Sequence, residues 1–153
     1  MIRRLILLAL ASAAFACASP SARDDSADTF ERATRRGETN FHETKARANL
    51  ASIESAMADY IKAERKIPEQ LTDLVPKYIA SLPSVDLPAC GSETDRVQNY
   101  GPGILRDGAV DGTRLKGTGR WGYVHGQEQV VIFIDCLKPS SAKLPWYQER
   151  GVY

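Results

Sequence analysis

Histidine is scarce in this chain, with two in 153 residues; cysteine numbers three and methionine two. Two histidines far apart in sequence, His42 and His125, give little material for a histidine-built metal centre or an imidazole base, and both read as solvated polar side chains. Charge of one sign is also missing. With 20 basic and 19 acidic residues, the chain lacks the basic surplus that neutralising nucleic-acid phosphates requires. No Gly-x-Ser-x-Gly, phosphate loop or His-Glu-x-x-His occurs, and "GPG" at 101–103 lacks the Lys-Ser/Thr of a phosphate loop. No residue set recommends an enzyme. Long apolar runs are absent too, apart from one at the very start.

That run belongs to "MIRRLILLALASAAFACASP". Arg3 and Arg4 precede a short apolar core, Leu5 to Ala14, and small residues follow, which is the layout of a secretory signal peptide at residues 1–16. Its loss removes two arginines and no acid, so the remainder is close to neutral. "AFAC" is similar to a bacterial lipobox, which would lipidate Cys17, although Ala14 and Phe15 depart from the favoured residues. Ordinary signal-peptidase cleavage is the alternative. The expected location is therefore a lipid-anchored outer-membrane protein or a periplasmic one.

With Cys17 set aside, Cys90 and Cys136 remain. In an exported protein two such residues pair more often than they stay free. A loop of about 46 residues would then be closed, stabilising by about 4 kcal/mol in the chain-entropy picture. Two thiols without a nearby histidine make a poor metal site.

Residues 17–27 read as a flexible tether and 28–153 as one domain. Asp28-x-x-Glu31 and Asn40-x-x-Glu43 each have the pattern of a capping box. Gly37 between them costs about 1 kcal/mol inside a helix. One long helix from about Asp28, or a frayed lead-in before a firm helix from about Asn40, both fit; the stripe Phe30, Ala33, Gly37, Phe41 is weak. From Ala46 the period is clear: Ala46, Leu50, Ile53, Met57, Tyr60 and Ile61 share one helical face. Pro68 ends this helix near Lys66 and can open a short second one, "PEQLTDLV", burying Leu71, Leu74 and Val75. "KYIASLPSVDLP" is an apolar connector.

Residues 91–120 are rich in Gly, Asp and Thr and read as irregular, with a short strand near Val97 to Tyr100. Trp121–His125, a turn at Gly126-Gln127-Glu128, and Val130–Asp135 read as a hairpin whose second strand is the more buried. Trp146 and Tyr147 are expected to fold back on the sheet.

The order of pieces in "TKARANLASIESAMADYIKAERKIPEQLTDLVPKYIASLP" and "GRWGYVHGQEQVVIFIDC" resembles the globular domain of type IV pilins and type II secretion pseudopilins. The likeness runs from about Thr44 to Trp146. It implies an α+β fold, a long N-terminal amphipathic helix packed on a small antiparallel sheet. It also implies that Cys136 is half of a disulfide closing the C-terminal region. Two departures stand out: "ERKIP" replaces an Asn-Gly bend, and "DDSADTFERATRRGETNFHETKARAN" stands where pilins carry a long apolar helix with an early glutamate. That polar stretch neither enters a bilayer nor packs a dry filament core, so lipid on Cys17 would be the substitute anchor, and stable only with several acyl chains.

The function implied is a non-enzymatic cell-envelope structural or interaction protein, with envelope proteins as partners and no nucleic acid. Some pseudopilins hold calcium near the region of Glu93, Asp95, Asp107 and Asp111. The alternative function is thus an exported small-ligand or calcium-binding module using the acidic 93–111 loop, with Asp107 and Asp111 as candidate ligands. Turn-forming aspartates explain the same residues without a metal.

Overall fold

The structure is a computed structural model that describes residues 22–126 and 129–149, with side chains from Ser26 onward. The signal peptide, Cys17 and the hairpin-turn residues Gln127 and Glu128 lie outside the described residues. One helix, α1 (Ala22–Glu64), dominates. It is continuous through Gly37, and it takes in residues 22–27 of the expected tether. Extending an existing helix adds a hydrogen bond per residue without a new nucleus, which outweighs a single glycine. Two i,i+4 ion pairs, Asp28–Arg32 and Glu31–Arg35, support the extension.

α1 has two halves of different character. Residues 26–41 are all exposed, a length of about 24 Å that meets the domain near its base, at Arg35 and Glu38. From Glu43 onward one face is covered: Ala46, Leu50, Ile53, Met57 and Tyr60 are all buried. Arg65, at φ 55°, breaks the helical path ahead of Pro68. The expected second helix is a 3-10 turn at Leu71–Leu74, capped by a reciprocal Gln70–Asp73 pair and burying Leu71 and Leu74.

The stripe is covered by a three-stranded sheet of β1 (Val97–Tyr100), β4 (Trp121–His125) and β5 (Val130–Ile134), in the order β1-β4-β5. β4 and β5 form the expected antiparallel hairpin, pairing Trp121 with Ile134 and Tyr123 with Ile132. β1, however, runs parallel to β4, Val97 beside Trp121. The sheet is mixed, not antiparallel as expected. The physical reason is the 20 residues from 101 to 120, enough for the crossover that parallel neighbours need. Part of that crossover is a two-residue hairpin, β2 (Leu105–Arg106) with β3 (Ala109–Val110). Its turn residues Asp107 and Gly108 both have positive φ, 52° and 78°, as Asp-Gly in a tight hairpin turn should.

Both sheet faces are covered. Trp121, Tyr123, Ile132 and Ile134 meet the α1 stripe, while Val124 and Phe133 meet Ile104, Leu105, Val110 and Tyr147 of the crossover and C-terminal segment. Burial on both sides explains why β5 is apolar at every position. Gly122 is required here, because the Phe133 ring occupies the space a Cβ would take. The connector is tied down by Trp121 Nε1–H donating to Pro83 O at 2.7 Å, Asn49 Nδ2–H to Ser84 O at 2.9 Å, and Tyr123 OH to Pro68 O. The Cys90–Cys136 disulfide is formed, with Cα atoms 5.7 Å apart.

This division of α1 sets an expectation. Leu50→Ala, in the covered half, should cost about 3 kcal/mol in urea unfolding. Phe30→Ser, in the standing half, should stay within about 0.5 kcal/mol.

Candidate functional site

The root of α1, where the helix leaves the domain, gathers most of the charged side chains held in place. Glu43 is 6% and Glu149 8% exposed, and Arg47 sits between them. Its guanidinium donates to both Glu149 oxygens, at 3.1 and 3.2 Å, and to Glu43 Oε2 at 3.3 and 3.4 Å. Ser141 N–H donates to Glu43 Oε1 at 2.9 Å, and Ser140 OH donates to Glu149. The guanidinium carbon also lies 5.0 Å from the centre of the buried Trp146 ring. One cation thus serves two carboxylates and an aromatic face, and clamps the C-terminal segment to α1. The Arg47 hydrogen bonds hold the Glu149 carboxyl below its usual 4.5, with burial opposing them.

On the neighbouring face, Lys45 Nζ donates to Asp86 Oδ2 at 3.0 Å and approaches Glu93 Oε1 at 3.4 Å. Lys45 is the main reason the Asp86 carboxyl is held below its usual value. His42, expected to be solvated, is instead half-buried: its Nδ1 lies 3.1 Å from Asp86 Oδ2, off the direction of a hydrogen bond. The pair attracts when the imidazole is protonated. Between the two clusters opens a cleft of about 300 Å³, bordered by Arg35, Glu38 and His42 on α1 and by Pro88, Pro139 and Trp146 across from it.

The acidic loop is not a single cluster. Glu93 turns to Lys45 and Ser84, and Asp95 borders a different groove, beside Arg96 and Arg120. Asp107 and Asp111 do border one shallow groove together with Arg106 and Tyr147. Asp107 holds the β2–β3 turn. Asp111 accepts from Thr113 N–H at 3.0 Å and Thr113 OH at 2.6 Å, with Arg106 3.7 Å away. Those hydrogen bonds hold its carboxyl below the usual value. Among the described residues no group of three or more His, Cys, Asp or Glu side chains is placed to hold a metal ion. Cys17 falls outside the described residues.

A third buried carboxylate is structural. Asp135, fully buried, accepts from Gly117 N–H and Thr118 N–H, both at 3.0 Å, and so folds the end of the crossover onto β5. Beside it the Tyr100 hydroxyl, which accepts from Lys116 N–H at 2.9 Å, is pushed up to about 12, mainly by burial.

Sequence reasoning missed Glu43, Arg47 and Glu149 as a unit. The Glu43-x-x-x-Arg47 spacing was its one local trace; Glu149 is about a hundred residues away. Comparison with protein-family models, with characterised proteins and with solved structures finds no match for this chain.

Two outcomes follow for the clamp. Arg47→Ala leaves two carboxylates buried without their cation and should cost about 3 kcal/mol by denaturant unfolding. Because Glu149 titrates lower in the folded chain than its usual 4.5, its stabilisation is complete above that value and is lost as pH falls through the folded-state one. Thermal melts from about pH 5 down to about pH 3 should therefore show falling stability, with a shallower fall in Glu149→Gln.

Proposed function

We propose that this chain is a non-enzymatic cell-envelope protein, exported and held by lipid at Cys17, whose pilin-like domain serves a structural or interaction role as an accessory to a secretion or pilus system. The observation that carries the reading is the division of α1. Its C-terminal half backs a small sheet, and its N-terminal half runs on with every residue from 26 to 41 exposed, which is how a pilin-like domain is carried on its helix. The standing half, unlike a pilin's, is polar, with Asp28, Glu31, Arg32, Arg35 and Arg36 all exposed. No helix among the described residues is long and apolar enough to cross a membrane. A helix of this kind spaces a domain from a surface instead of entering it. Cys17, five residues before Ala22 in the sequence, is the residue that would carry the lipid.

Mass spectrometry of the mature protein tests the reading. The expected N-terminus is a diacylglyceryl-modified Cys17. An unmodified start at Ala18 or Ser19 would remove the anchor, and an intact signal sequence would remove export.

A further inference from the structure

A helix that lies against a core normally carries its charges on the face turned to water. α1 departs from this. At about 100° per residue, Phe30, Gly37, Phe41, Thr44, Ala48 and Ser55 fall on one line of the helix, opposite the stripe that meets the sheet. All of them are exposed, and the line carries no charged residue from Phe30 to Ser55. Phe30, 74% exposed, and Phe41, 65% exposed, are the two most exposed large apolar side chains among the described residues. They stand about three turns apart, with Gly37 between them. An added Cβ at Gly37 would meet nothing within 4 Å among the described residues, so the fold of one copy does not call for glycine there. Glycine weakens a helix interior; what it permits is the close approach of a second backbone.

The charges sit on the two flanks of this line. Glu31 and Glu38 lie on one side. Arg36 lies on the other, where it borders a shallow groove with Arg32 and Ala33.

We propose that this line is a docking face for a second copy of the chain, the two α1 helices lying side by side and parallel about a two-fold axis. Parallel pairing sets each flank against the opposite flank of the other helix, so Arg36 of one copy comes beside Glu38 of the other, and the pair occurs twice. Phe30 then meets Phe30 and Phe41 meets Phe41, while Gly37 lets the axes close between them. Antiparallel pairing about the midpoint of the two rings sets like flanks together, Arg36 against Arg36 and Glu31 against Glu38, which is repulsive. A second copy brings both complementary flanks with it, and the sheet of each copy lies on the far side of its own helix. The strip is narrow and about 38 Å long, so the association belongs at the weak end of specific interfaces, with a Kd of about 10–100 µM.

This goes beyond the envelope role proposed above and does not need it. Pairing is measured in solution without lipid, and the mature N-terminus is measured without pairing, so either can fail alone. The mature chain carrying Cys17→Ser, which cannot be acylated, is followed by sedimentation equilibrium from about 5 to 300 µM. A reversible monomer–dimer equilibrium is expected. Phe30→Asp should weaken it by about tenfold or more and leave the thermal melt of the monomer unchanged. Arg36→Glu should weaken it as well, and adding Glu38→Arg should restore it, because the pair is rebuilt with its signs reversed. Thr44→Cys reports direction. Parallel helices bring the two thiols together and should give a disulfide-linked dimer under mild oxidation, whereas antiparallel ones hold them about 26 Å apart. A monomer across the whole range, a dimer indifferent to Phe30→Asp and to the charge changes, or a dimer that Thr44→Cys does not link would overturn the proposal.

Discussion

One helical stripe has to be kept from water, and the domain is arranged around that need. Ala46, Leu50, Ile53, Met57 and Tyr60 form a single apolar face, and a lone amphipathic helix of this length has no stability of its own to spare. The β4–β5 hairpin covers the stripe with Trp121, Tyr123, Ile132 and Ile134, but a two-stranded hairpin is itself marginal. β1 adds a third strand, and the crossover that delivers it covers the hairpin's far face. Each layer is stable only because the next is present. The disulfide and the Arg47 clamp then fasten the last strand and the C-terminal segment to layers that precede them in sequence.

What could be read in advance was whatever repeats at short range. The α1 stripe, the hairpin, the strand at Val97–Tyr100 and the pairing of Cys90 with Cys136 follow from period, turn residues and compartment, and the structure has all four. The parallel direction of β1 does not follow, because it is decided by where a 20-residue crossover sets the chain down. Nor does the clamp, since Glu149 and Arg47 are 102 residues apart and nothing local marks them as partners. His42 looked solvated for the same reason: Asp86 reaches it from the connector. Two further features turn on local rules. Asp107-Gly108 is a hairpin turn by composition alone, although the region around it reads as irregular. Gly37 leaves the helix start open in the sequence, yet extending a formed helix across one glycine costs only about 1 kcal/mol.

The polar groups divide by what they fasten. Asp135 and Tyr100 hold the crossover to the sheet, and Asp111 shapes the turn that follows β3. These fix conformation within the domain. The Glu43–Arg47–Glu149 and Lys45–Asp86 groups differ, because both lie at the level where α1 emerges. A helix whose exposed end runs on for about 24 Å is a lever, and any sideways load on that end is felt at the root. Charge-assisted hydrogen bonds on two faces resist such a load better than apolar contact alone, since they have direction. The fixed charge at the root thus sets the direction in which α1 leaves the domain.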